Sequence, residues 1–207
     1  MSDRRNLTLI AAALLMGLWL IMIVAGTGVL DQALLAALYA GQRPALTRSA
    51  EVVTFIGQWS AVVVISAAVA GWLVVRGEHY RALLLLAVTL SGRALVEAQK
   101  AGFHRPRPTL EPHLVPAHGL SFPSAHSANT MMVFLAVALI AAAPPWRRTA
   151  VMLAVLMSLL VGLTRPMLGV HWPSDVVGGW SFGAAWVLAM LAAAERWAQR
   201  HQAAAKR

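Results

Sequence analysis

Thr164-Arg165-Pro166-Met167-Leu168-Gly169-Val170-His171-Trp172-Pro173-Ser174-Asp175 places an arginine, a histidine and an aspartate between two long runs that are almost free of charge. Ionisable groups at a membrane boundary are expensive to place and mark function. His171 and Asp175 are four apart, so one helical turn would bring them to one face. A carboxylate on one imidazole nitrogen fixes the tautomer and leaves the other free to attack or to move a proton. Arg165 adds a permanent, planar charge suited to phosphate. Two plainer readings compete. One is an interfacial histidine with Asp175 stabilising the start of a helix. The other is half of a metal site, although the histidine spacing matches no metal signature.

The apolar runs on either side continue through the chain. Of 207 residues, 59% are hydrophobic and 12% charged, against about 25% charged in soluble domains. With several runs near membrane-spanning length, this predicts an integral membrane protein rather than a soluble helical core. Cysteine is absent, which excludes disulfides, thiolate catalysis and cysteine-bound zinc. The net charge of +9 is spread over the ends of apolar runs, so it argues for membrane topology and against nucleic acid.

The expected fold is all-α and polytopic: one membrane domain of six transmembrane helices, with short interfacial helices after the first. Helix one spans residues 7–29, a retained helix rather than a cleaved signal. Two amphipathic pieces follow, at 31–39 and 44–56, neither apolar enough to span. Helix two covers 59–75 and helix three 82–103, joined by a polar turn at 76–81. A proline- and histidine-rich loop runs from 104 to 122. Helix four takes 123–143, helix five 149–163 and helix six 173–194, and a basic tail frays after 195.

Six crossings return both termini to one side. Ten of the 17 basic residues lie there: Arg4, Arg5, Arg76, Arg81, Arg147, Arg148, Arg196, Arg200, Lys206 and Arg207. That side is therefore cytoplasmic, and the membrane is taken as a bacterial inner membrane. Lys100, Arg105, Arg107 and Arg165 break the rule on the opposite, extracytoplasmic side. Lys100 ends helix three, His126 opens helix four, and Arg165, His171 and Asp175 arrive two crossings later. Three polar clusters separated in sequence thus meet at one face.

Each cluster has a chemistry. Lys100 and Arg107 read either as snorkelling cations or as a phosphate clamp, and Pro106 and Pro108 stiffen the backbone around Arg107. Pro123-Ser124-Ala125-His126 reads as a first helical turn with proline at its first position, where free N–H groups and the dipole favour an anion. The Ser124 hydroxyl can donate to a phosphate oxygen, and His126 can protonate a leaving group. The cations supply the charge a metal would supply, so no metal or other cofactor is expected. Arg93 and Glu97 read as a buried ion couple, and His104, His113 and His118 as loop residues.

Lys100, six residues, Arg107-Pro108; then Pro123-Ser124-Ala125-His126; then Thr164-Arg165, five residues, His171, three residues, Asp175. This pattern resembles the three-part signature of the type 2 phosphatidic acid phosphatase and vanadium haloperoxidase superfamily, in its membrane lipid phosphatase branch. The resemblance implies that Lys100, Arg107 and Arg165 clamp phosphate, and that Ser124 and the Ala125 amide bind it. It also implies that His126 protonates the leaving group and that His171, oriented by Asp175, forms a phosphohistidine. Ala125 replaces the usual glycine and Thr164 the usual serine, so an N–H and a hydroxyl survive. The expected activity is hydrolysis of a monoester or pyrophosphate on a membrane lipid: phosphatidate, phosphatidylglycerol phosphate, undecaprenyl pyrophosphate or lipid A phosphate. The expected partners are that lipid and the membrane. A binder or flippase on the same scaffold is the alternative; it would need the cations but not the histidines.

Overall fold

The computed structural model describes residues 2–204, and all regular structure among them is helical. The order is α1 (Ser2–Ala25), α2 (Val29–Leu38), α3 (Pro44–Phe55), α4 (Trp59–Val75), α5 (His79–Phe103), α6 (Ala125–Ile140), α7 (Arg147–Met167) and α8 (Pro173–Ala204), with a 3₁₀ turn at Pro144–Trp146. Four of these runs are long and apolar enough to cross a membrane: Asn6–Ala25, His79–Phe103, Pro144–Met167 and Pro173–Gln202. The pair Pro44–Phe55 and Trp59–Val75, bent by 43°, makes a fifth if taken as one span. The protein is thus an integral membrane protein.

α6 is the axis of the bundle. It packs against α4, α5, α7 and α8, and eleven of its 16 residues are buried. A helix walled on most sides has no single wet stripe, and the polar residues of α6, His126, Ser127, Asn129 and Thr130, gather in its first turns. Its 16 residues rise about 24 Å, short of the ~30 Å hydrocarbon core. α8 meets α6 through Gly179 and Gly183, four apart: a Cβ at Gly179 would lie 2.7 Å from the Ser124 carbonyl oxygen, and one at Gly183 2.7 Å from that of Ala128. Small residues allow such backbone contact where lipid offers no hydrophobic drive. α1 lies outside, against α8, with Leu14, Ile21 and Val24 exposed, as a lipid-facing helix requires.

Several boundaries differ from the sequence reading. α1 stops at Ala25, not 29, because Thr27 turns with φ +69° and its N–H is taken by the Asp31 carboxylate at 2.8 Å. α6 begins at Ala125, so Pro123 is not its first residue. It follows a cis Phe122–Pro123 bond, and Ser124 is the cap. α7 continues to Met167 despite Pro166, which carries Arg165 onto the helix. The tail is helical to Ala204: residues 195–204 contain neither glycine nor proline, and Trp197 stacks on Tyr80. Finally, His171 precedes α8 and does not share a helical turn with Asp175.

Candidate active site

One cavity of about 560 Å³ collects the predicted residues. Lys100, Arg107, Ala125, His126, Arg165 and His171 all line it. They come from the end of α5, the following loop, the start of α6, the end of α7 and the α7–α8 turn. The two histidines therefore share one cavity on one side of the bundle. Ser124, Thr164 and Asp175 are buried and are absent from its lining.

The α7–α8 turn is set by local chemistry. Gly169 has φ +75°, and a Cβ there would sit 3.0 Å from the Pro112 carbonyl oxygen, so a side chain would be both strained and crowded. Pro173 opens α8, as proline commonly does. Asp175, in the first turn, reaches back to the Trp172 N–H at 2.9 Å. This is the acidic half of a capping box, and it carries the Asp175 carboxylate under the His171 ring. Asp175 Oδ2 lies 3.3 Å from His171 Nδ1. The pair thus meets through a cap rather than along a helix face.

Ser121 completes this contact. Its hydroxyl donates to Asp175 Oδ2, while its oxygen lies 3.2 Å from His171 Nδ1. Nδ1 faces two acceptors and so carries the proton, which leaves Nε2 as the lone-pair nitrogen. Nε2 points at Arg107, whose Nη1 is 3.0 Å away. His171 is 2% exposed. Burial, followed by the charges of Arg107, Lys100 and Arg165, holds its imidazole well below its ordinary pKa. A neutral ring keeps its lone pair at neutral pH.

The cations are fixed by carbonyls and hydroxyls. Arg107 donates from Nε to the Gly119 carbonyl (3.1 Å), from Nη2 to that of His118 (2.8 Å) and from Nη1 to that of Val170 (2.7 Å). Lys100 Nζ donates to the Leu120 carbonyl at 2.7 Å. Arg165 donates from Nη1 to Thr54 Oγ1 at 2.7 Å, and its buried Nε has no partner. By contrast, the Ser124 hydroxyl accepts from the Ser127 N–H at 3.5 Å as a helix cap. The Thr164 hydroxyl donates to the Val161 carbonyl at 2.6 Å. Ala125, at the first turn of α6, lines the cavity.

Sequence reasoning missed Ser121 and Asp31, and marked Arg105 as a misplaced cation without giving it a role. Arg105 is buried and donates to Asp175 Oδ1 at 2.9 Å, to Ser174 Oγ at 3.1 Å and to the carbonyls of Met22 and Ile23. It balances the Asp175 charge from behind and stacks over Phe122, with Cζ 4.3 Å from the ring centroid. Asp31 accepts from the Ser174 N–H (2.8 Å) and hydroxyl (2.5 Å), which ties α2 to the start of α8. An aspartate in an apolar stretch was the available signal for Asp31. For Ser121 there was none.

The comparisons with known proteins agree with this architecture. Residues 81–199 match the model of the PAP2 superfamily. Phosphatidylglycerophosphatase B of Bacillus subtilis (strain 168) is 30% identical over 158 residues, covering 74% of this chain and 77% of that protein. Lipid A 1-phosphatase of Rhizobium johnstonii is 42% identical, but over 64 residues, 31% of this chain and 24% of its own length. The crystal structure of a transmembrane PAP2 type phosphatidylglycerolphosphate phosphatase from Bacillus subtilis superposes with a TM-score of 0.81 at 27% identity, covering 89% of this chain and 96% of that one. Aquifex aeolicus LpxE superposes at 0.66 with 20% identity, covering 80% of this chain and 97% of that one, a likeness of fold. The chain belongs to the PAP2 superfamily and is a membrane lipid phosphatase.

Proposed function

We propose that the protein removes phosphate from a lipid headgroup without a metal, through a phosphohistidine on His171. The observation that carries this reading is the pairing of His171 Nε2 with Arg107, 3.0 Å apart, in a cavity that also holds Lys100, Arg165 and His126. An incoming phosphate replaces the imidazole as the partner of Arg107 and engages the Arg165 guanidinium in the cavity wall. Its equatorial oxygens then lie among three cations and the first amides of α6, including that of Ala125. Nε2 attacks phosphorus as the bond to the leaving oxygen breaks. Asp175 and Ser121 hold Nδ1–H and stabilise the charge that the ring acquires. His126 gives a proton to the leaving oxygen and then takes one from the water that cleaves the phosphoenzyme. Ser124 supports the clamp by capping α6.

The relatives named above favour a phosphatidylglycerol phosphate among the four candidate lipids. Counting the enclosed α6 as a span gives six crossings in one domain, both termini cytoplasmic and the cavity at the extracytoplasmic face of a bacterial inner membrane. In detergent, wild-type protein releases phosphate from that lipid, and chelators leave the rate unchanged. His171→Ala abolishes release while binding persists. Turnover by this variant at the wild-type rate would falsify the nucleophile assignment. Binding without release by the wild type would favour the binder or flippase.

A further inference from the structure

We infer that Arg93, with Glu97 and Trp59, forms a second anion subsite at the rim of the catalytic cavity, taking the phosphodiester of a lipid whose two phosphates are separated by a glycerol. The inference rests on the phosphatase reading and narrows its substrate class. Arg93, Glu97 and Lys100 follow one another on α5 at spacings of four and three, which places them on one helix face. All three line the cavity, together with Trp59 from the start of α4. The sequence alone read Arg93 and Glu97 as a buried couple closed on itself. The structure instead leaves the Glu97 side chain 51% exposed and that of Arg93 25% exposed.

Arg93 Nη2 lies 2.6 Å from Glu97 Oε1, and Arg93 Cζ is 5.0 Å from the Trp59 ring centroid. The ring steers the guanidinium and covers one of its faces. Among the described residues Glu97 is its one ion-pair partner, so most of its five donors are unused. A guanidinium within a span is costly, and a partner that is half in solvent offsets little of that cost. This arrangement suits a site that exchanges partners: Glu97 holds the guanidinium in the empty enzyme, and a phosphodiester displaces it, forming a two-pronged contact.

Spacing selects the ligand. Lys100 lies seven positions after Arg93, about 10 Å along the helix axis. A terminal phosphate at Lys100, Arg107 and Arg165, joined through glycerol to a diester, extends along this face toward Arg93. Phosphatidate has no second phosphate and gains nothing there.

The test is kcat and KM on three probes: phosphatidylglycerophosphate, phosphatidate and a short soluble phosphate monoester. Loss of one charge-assisted contact in Arg93→Gln raises KM for phosphatidylglycerophosphate about tenfold. In the same variant kcat and both other probes stay within about twofold. Arg93→Lys keeps part of the preference, and Glu97→Gln, which frees the guanidinium, lowers KM for the two-phosphate lipid alone. Arg93→Gln acting equally on all three probes, or on none, overturns the subsite while leaving the phosphatase reading intact. If Arg93→Gln does not fold, an unchanged KM ratio in Glu97→Gln overturns it. A wild type inert on all three probes overturns the phosphatase reading and the subsite with it.

Discussion

His171 shows how one residue's surroundings set its chemistry. Apolar packing and three neighbouring cations favour the neutral ring, while Ser121 and Asp175 decide which nitrogen holds the proton. This has a measurable cost in acid. The unfolded imidazole titrates near 6.5, and the folded one well below it. Between those values the unfolded chain binds the extra proton, so stability falls as pH falls. The slope is about 1.4 kcal/mol per pH unit; above the unfolded value the effect vanishes. Thermal unfolding in detergent from pH 7.5 to 5 should show this acid loss in the wild type, and a smaller one in His171→Asn. Equal loss in both proteins would place the titration elsewhere.

Among the elements, α6 and α8 meet backbone to backbone at Gly179 and Gly183. Gly183 faces the Ala128 carbonyl, a backbone atom that cannot swing aside as a side chain can. Gly183→Ala should therefore cost about 1–3 kcal/mol, and it should lower activity in parallel, because α6 carries His126 and α8 carries Asp175. Gly71 is the control: a Cβ there meets nothing within 4 Å, so Gly71→Ala should be neutral or stabilising by up to about 1 kcal/mol. Unfolding midpoints of the two variants check this directly. Similar effects would show that the helix contact is looser than the geometry implies.

For the whole molecule, the questions are orientation and the route of the lipid. The cavity gathers cations that the positive-inside rule would exclude from an outer face, and most other basic residues lie at the opposite ends of the helices. Reporter domains fused to the N-terminus and to the C-terminus should both register the cytoplasm. A reporter in the loop at 109–119 should register the other side. Termini on opposite sides would remove either α6 or the bent α3–α4 pair from the count of crossings.

Much of this was readable from the residues because each signal was local. Apolar runs revealed the helices, and fixed spacings marked Lys100, Arg107, His126, Arg165 and His171, which the fold brings to one cavity. The counter-charge from Arg105, the bridge through Ser121 and the Asp31 tie to α8 depend on contacts across 50 to 143 residues of chain. No periodicity encodes those contacts. Arg93 and Glu97 show the same division: the sequence determined that they pair at one helical turn, because that is a property of α5 alone. Only the tertiary structure decided that the pair opens onto the cavity, because exposure depends on what the other helices leave uncovered.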